Sequence, residues 1–547
     1  MNYSCTPAMI RSCFHIFSYL ISCTCLLSNA VASDINADSI KNHIFVLGDD
    51  QMQGRATGTA GAVMASEYIA AKLKQYGIGP APNFSEYFQQ IPMHGSRSLQ
   101  TSRLTIYKND SILNLHLGMD YLMYKTGAET FMPRAFPIVF VGYGIVAPEY
   151  DYNDYLSVDV ENKIVIFLEG EPESEDERYF EGPRPTIHSL YETKQRIAIS
   201  RGARGSIFIP LLKSISWEKL AQEFSFEDVR LAYAVSSHLS IVINPDVLPL
   251  ISDRIAQICR MEAAAAMGSF YLDVNMQFTG KFEERDFLDR NVIGFIPGRD
   301  RILKDRCLIL SAHYDHLGIG PAVNGDSIYN GVSDNASGTA VLLELARVFS
   351  ALNEKPKRSL IFLFLTGEEK GLLGSTYYTE NPVVPLYRTI ANINIDGAPM
   401  TEEFNDVVAI GSEYSTLEDD LKIILKEIGI TLSSIPDIFY NEAESLVRSD
   451  QFAFARAGIP SVLLVEGLHY KNTPYELAIR RLIEWNLNIY HSPFDDLHQP
   501  MNFTATLKYV KIIFHFAEFL ANQDSEPEWR EGVPFSATRI QNNIEKR

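Results

Sequence analysis

From Lys281 to about Asn522 the chain alternates apolar runs with helical patterns. Cys307 to Leu310, Leu360 to Leu365, Ile390 to Ile395 and Ser461 to Val465 are short runs rich in branched apolar residues. Such runs suit strands buried on both faces of a sheet. Between the first two lies Ala340 to Leu352, whose Val341, Leu342, Leu345, Ala346 and Phe349 form one helical face. Strands that alternate with helices imply parallel pairing, with helices on both sheet faces. The expected fold class is therefore α/β: a mixed, mostly parallel central sheet flanked by helices.

Before Lys281 the pattern differs. Up to about Met132, helical stretches mix with short strands, and Ala62, Ala65, Ile69 and Leu73 mark one amphipathic helix over Ala62 to Tyr76. From Pro133 to Phe278 the strands are short and their connections irregular and acidic. Ile138 to Val141 and Ile164 to Leu168 are strand-like, and Glu169 to Glu177 reads as a solvated loop. No internal repeat at a fixed period is visible.

Length and charge narrow the choice. At 547 residues two domains, or one with a long insertion, are the natural expectation. A formal net charge of −20 argues against nucleic acid, whose phosphates need clustered Lys and Arg. Residues 1–32 read as a signal peptide. Arg11 supplies the positive start, Phe14 to Leu27 an apolar stretch too short and broken to span a bilayer, and Ala30-Val31-Ala32 a small-residue cleavage site. Export to the periplasm or the medium is expected, with no stable membrane insertion after cleavage. Leu20-Ile21-Ser22-Cys23 offers lipoprotein anchoring at Cys23 as a variant of the same reading. Only Cys259 and Cys307 lie beyond that segment, and spacing leaves open whether they are bridged.

Candidate chemistry sits where the apolar runs end. His313 and Asp315 follow the first run, Glu368 and Glu369 the second and Asp396 the third. Ligands of open α/β sheets bind outside the carboxyl ends of strands, so these groups converge on one crevice. Asp334 precedes the 340–352 helix, and His491 lies later, in Tyr490-His491-Ser492-Pro493. Imidazole and carboxylate ligands suit Zn²⁺. Two zinc ions need a carboxylate that bridges them and about two further ligands each. His313, Asp334, Glu369, Asp396 and His491 supply that set. Glu368 is left over beside a ligand, where a general base is needed. Asp315 is placed to fix the tautomer of His313. Singly, each residue has a plain reading: Glu-Glu pairs start helices and Asp-Gly closes turns. The joint pattern carries the signal.

His313-Tyr-Asp315-His-Leu-Gly, Gly331-Val-Ser-Asp334-Asn335-Ala-Ser-Gly338, Thr366-Gly-Glu368-Glu369-Lys-Gly, Asn394-Ile-Asp396-Gly and Tyr490-His491-Ser-Pro resemble, in order and spacing, the dizinc aminopeptidases. These include bacterial leucyl aminopeptidases, aminopeptidase Y and, more distantly, glutamate carboxypeptidase II. Gly54-Arg55-Ala-Thr-Gly-Thr-Ala-Gly61 and Ser449-Asp450-Gln-Phe-Ala-Phe-Ala-Arg-Ala-Gly458-Ile-Pro460 resemble its exported bacterial branch. The resemblance implies two zinc ions per chain bridged by Asp334. His313 and Asp396 would hold one, Glu369 and His491 the other. Glu368 would be the general base, Asp315 would orient His313, and N-terminal residues of peptides would be the substrates. It also implies a cis peptide after Asp334. Asn335 stands where the family often has Asp, at a position that is not a ligand.

Phe140-Val-Gly-Tyr-Gly-Ile145, Asp151-Tyr-Asn-Asp-Tyr155 and Asn162-Lys-Ile-Val-Ile-Phe167 resemble the opening of a protease-associated domain. The organisation expected is a signal peptide (1–32), a first part of the peptidase domain (33–132), a β-rich protease-associated-like insertion (133–280), the catalytic domain (281–525) and a tail (526–547). His316, His469 and His498 fit no ligand slot and are expected beside the site or at the surface. Asp495 and Asp496 support His491 or close a turn. Three rivals share the fold: a glutaminyl cyclase with one zinc, a carboxypeptidase needing an Arg cluster, and a binding protein that has lost its ligands. The native metal, the preferred residue and the oligomeric state are not set by the sequence.

Overall fold

The four apolar runs become four neighbouring parallel strands. In the computed structural model, which describes residues 34–544 except 125–131, 133, 177, 183–185, 213–214, 237, 262–267 and 437–445, they lie inside a nine-stranded sheet. Its order is Asp228–Leu231, Phe88–Ser98, Phe282–Ile296, Ser359–Leu365, Cys307–His313, Thr389–Asn394, Ser461–Glu466, Asp406–Ile410 and Thr431–Leu432. The Ser359, Cys307, Thr389 and Ser461 strands pair in parallel, and antiparallel pairs flank them on both sides. Every residue of the Cys307, Ser359 and Thr389 strands is buried. That explains why their sequences are continuously apolar rather than alternating. The expected signal peptide and Cys23 lie outside the described residues.

The chain order places the crevice. From the Cys307 strand the chain crosses to the Ser359 strand on one side, then to the Thr389 strand on the other. Such a reversal leaves a gap at the carboxyl ends, where side chains from both sides can meet. Helix Gly338–Ala351 covers one face with an almost wholly buried surface, against helices Phe503–Asn522 and Ala37–Leu47. The latter starts at Asn36, whose side chain accepts from the N–H groups of Asp38 and Ser39.

A second sheet of eight strands has its own core, from Leu104 and Ile106 to Phe278. Its boundaries differ from those read in the sequence. The strands Arg103–Lys108, Ser111–Leu115 and Tyr121–Met123, assigned above to the first part of the peptidase domain, belong here, in the order 111–115, 103–108, 270–279. Conversely Asp228–Leu231, placed above in the insertion, pairs with Phe88–Ser98 in the first sheet. A two-residue period shows that a segment is a strand but not which sheet receives it. The stretch 526–544, read above as part of a tail, carries a helix. Helix Phe535–Ile544 docks on the first unit, with Arg539 donating to the carbonyl of Thr389 and Asn542 to that of Ala457. Cys259 and Cys307 are unbridged and belong to different cores. No helix among the described residues is long and apolar enough to cross a membrane.

One buried group ties the first unit to pH. His43, on helix Ala37–Leu47, meets Tyr68 Oη through Nδ1 at 2.7 Å and Tyr76 Oη through Nε2 at 2.8 Å. Burial, helped by Lys72, holds its pKa down at about 4. The folded chain therefore keeps His43 neutral while the unfolded chain takes up a proton below about 6.5. Stability is expected to fall as pH drops from about 6.5 to about 4, by about 3 kcal/mol from this group. His43→Gln should flatten that limb of the curve in denaturant titrations at pH 7, 5.5 and 4.

Candidate metal centre

Each candidate group stands where an element stops. His313 is the last residue of its strand, Asp396 lies two past the end of the Thr389 strand, and Glu368 and Glu369 occupy the turn after the Ser359 strand. Gly331 opens the turn into Asp334 with φ +58, and a Cβ there would lie 2.1 Å from the carbonyl of Asp334 and 2.4 Å from the His316 ring. Only glycine fits both that backbone and that space. The Asp334–Asn335 peptide is cis. Buried Asn335 holds the turn by donating to the carbonyl of Ile395 and accepting from the N–H groups of Gly338 and Gly397.

All five expected ligands come together. His313 Nε2 lies 3.1 Å from Asp396 Oδ1 and 3.3 Å from Asp334 Oδ1. His491 Nε2 lies 3.3 Å from Asp334 Oδ2 and 3.2 Å from Glu369 Oε2. Asp334 thus offers one oxygen to each half of the cluster. The ligand atoms of His313, Asp334 and Asp396 lie within 4.8 Å of one another. A second set, His316, Asp334 and Glu369, meets the same limit. The buried Nε2 of His491 faces two carboxylates without hydrogen-bond geometry to either. A ring nitrogen aimed at carboxylate oxygens but bonded to none fits a cation held between them.

The electrostatics agree with that fit. Burial alone would raise Asp334, yet His313 and His491 hold it well below the usual carboxylate range. Glu369 is likewise held at about 2 against burial, chiefly by His491. Burial pushes Glu368 the other way, well above its usual range; His313 opposes the shift, while Asp396 and Glu369 add to it. Glu368 is thus biased toward holding a proton, opposite to Asp334 and Glu369.

One support differs from expectation. The Nδ1 of His313 meets the backbone carbonyl of Asp315 at 3.2 Å, whereas the Asp315 carboxylate stands at 3.7 Å. That carboxylate instead accepts from Thr57 Oγ1 at 2.9 Å and from the backbone N–H of Glu368 at 3.2 Å. Asp315 therefore fixes His313 through its main chain and the Glu368 turn through its side chain. His316, expected beside the site or at the surface, is buried beside it, with Nδ1 2.6 Å from Glu369 Oε1. Its place three residues past a ligand candidate, in a strand-end turn, is the signal the sequence offers.

Further residues brace the cluster. The Asp495 carboxylate serves the Asp334 turn, accepting from the backbone N–H groups of Ser333 and Asp334. Arg55, fully buried, donates to four carbonyls: Tyr314 from Nε, Leu47 and Asn330 from Nη1, and Gly331 from Nη2. His469 and His498 stand apart, paired with Asp406 and Asp496.

Residues 291–517, which hold all of these ligand candidates, match the model of Peptidase family M28. Leupeptin-inactivating enzyme 1 of Streptomyces exfoliatus is 30% identical over 186 residues, 34% of this chain and 37% of that protein. Aminopeptidase NAALADL1 of Mus musculus is 41% identical over 111 residues, 19% of this chain and 13% of that protein. The matched stretches thus span less than half the length of either curated relative. The aminopeptidase from Aneurinibacillus sp. strain AM-1 has the same fold, with a TM-score of 0.55 and 18% identity over 92% of this chain and 98% of that one.

Proposed function

With residues 291–517 belonging to peptidase family M28, we propose that this chain is an exported aminopeptidase that holds two zinc ions and hydrolyses the N-terminal residue from peptides. The observation that carries the reading is Asp334, which turns Oδ1 toward His313 and Oδ2 toward His491, each at 3.3 Å. A carboxylate so placed suits two cations better than one. His313 and Asp396 would hold one ion, Glu369 and His491 the other, with Asp334 shared and buried His316 fixing Glu369. When bound, the metal pair supplies Lewis acidity, which lowers the pKa of a water and polarises the scissile carbonyl.

The remaining steps belong to side chains. Glu368, partly exposed to the crevice, takes a proton from the attacking water and returns it to the leaving amine. Asp315 holds Glu368 in register through its backbone N–H. The excess of carboxylates around the crevice attracts a free α-ammonium, which favours cleavage at peptide N-termini.

The direct test is an assay of the purified chain on a panel of aminoacyl-p-nitroanilides, with metal analysis. Hydrolysis with about two metal ions per chain is expected. One ion would favour the cyclase reading, and two ions without aminoacyl hydrolysis would move C-terminal substrates ahead. Chelation is expected to abolish turnover and lower the thermal midpoint, with zinc restoring both, because a ligand bound to the native state stabilises it.

A further inference from the structure

We infer that the second unit completes the metal site through Lys219, a positioning residue that locks the turn carrying His491. The inference rests on the two-metal reading above. Lys219 sits on helix Trp217–Glu223, which is anchored to the second unit. Trp217 donates from Nε1 to the carbonyl of Gly118 and packs with Leu122 and Val242 of the eight-stranded sheet. Ser216 caps the helix by accepting from the N–H of Lys219. From that base Lys219 reaches across, and its Nζ lies 3.2 Å from the carbonyl oxygens of both Tyr490 and His491.

Those two carbonyls belong to a backbone that needs holding. His491 has φ +51, in the left-handed region that a residue with a Cβ enters at a cost. On its amino side the turn is tied to helix Tyr475–Asn488, since the N–H groups of Ile489 and Tyr490 both bond the carbonyl of Trp485. The Tyr490 ring stacks on the His491 ring at 3.8 Å. On the carbonyl side, Ser492 bonds the carbonyl of Ile489 within the turn, and Lys219 brings a donor from the second unit to the carbonyls of Tyr490 and His491.

The helix makes further contacts beyond Lys219. Gln222 donates to Tyr329 Oη at 2.6 Å, and the Phe226 ring beyond the helix meets the Tyr329 ring edge-on at 5.0 Å. The helix is therefore fastened to the second unit before Lys219, at Trp217, and to the catalytic unit after it, at Gln222. A ring nitrogen can be a good ligand only if its backbone keeps it aimed, and partners of this kind set metal affinity as well as geometry.

Lys219→Met removes the two bonds while keeping the aliphatic stem. Zinc competition against a chromophoric chelator, with the full chain, is the experiment. The parent should hold two ions. The variant should lose affinity for one by about 10–100-fold and keep the other unchanged, with the metal-free melting temperature unmoved. Lys219→Arg should restore the weakened ion, since it supplies donors at the same place. Two ions held as tightly by Lys219→Met as by the parent would overturn the inference and leave the two-metal reading standing. So would equal loosening of both ions together with a lower metal-free melting temperature, because that signals general destabilisation. A parent that binds fewer than two ions would overturn the two-metal reading itself, and this inference with it.

Discussion

Glu368→Gln is expected to lower kcat/KM by about 10²–10⁴-fold while leaving the metal content unchanged. The substitution is nearly isosteric, and the turn does not depend on the carboxylate. The backbone N–H of Glu368 donates to Asp315, and its carbonyl accepts from the N–H groups of Gly371 and Leu372. What Gln cannot do is accept a proton from water and pass it on. The loss should therefore fall on kcat, with KM close to that of the parent. The upward bias on the Glu368 carboxyl reflects burial and the carboxylates of Asp396 and Glu369, the surroundings expected of a group that must hold a proton midway through a reaction. Metal analysis of the same sample decides the role. A variant that loses metal along with activity would make Glu368 a ligand rather than a base, and a variant that keeps activity would remove it from the mechanism.

The second large effect is expected away from the reacting atoms. Arg55→Met should destabilise the metal-free chain by about 3–5 kcal/mol, read from the denaturant midpoint. The guanidinium satisfies four carbonyls on three separate segments: Leu47 before the first glycine turn, Tyr314 between His313 and Asp315, and Asn330 and Gly331 before Asp334. Removing it orphans buried acceptors that no water reaches, which costs more than the bonds themselves are worth. Its charge matters as well. Burial pushes Arg55 down to about 10, opposed by Asp495, Asp334, Asp315 and Glu369, so it is the buried cation that faces the acidic cluster from behind. Arg55→Lys should recover only part of the loss, because an ammonium has three donors and no planar fork. A loss below about 1 kcal/mol for Arg55→Met would mean that the turns hold themselves.

The sequence and the structure agree best where a signal is local. The four buried strands are legible because burial on both faces forces a continuous apolar run, and helix Gly338–Ala351 because its apolar positions keep a helical period. The ligand candidates are legible because strand ends in such a sheet are the places where polar groups can converge. Arg55 was visible in its glycine-rich motif, but nothing local says that one side chain reaches four carbonyls, three of them some 260–280 positions away. Asp495 was legible as a neighbour of His491, whereas its partners lie on the Asp334 turn.

By itself the sequence determined an α/β sheet, five metal-ligand candidates, a spare carboxylate at Glu368 and a second, strand-rich unit. Each follows from short-range pattern: period, run length, or residue type at the end of a run. The tertiary structure alone decided that the 103–123 strands belong to the second unit while 228–231 crosses to the first. It alone buried His316 against Glu369 and brought Lys219 to the His491 turn. Those outcomes depend on pairing register and on contacts between segments hundreds of residues apart, and neither leaves a periodic trace in the chain.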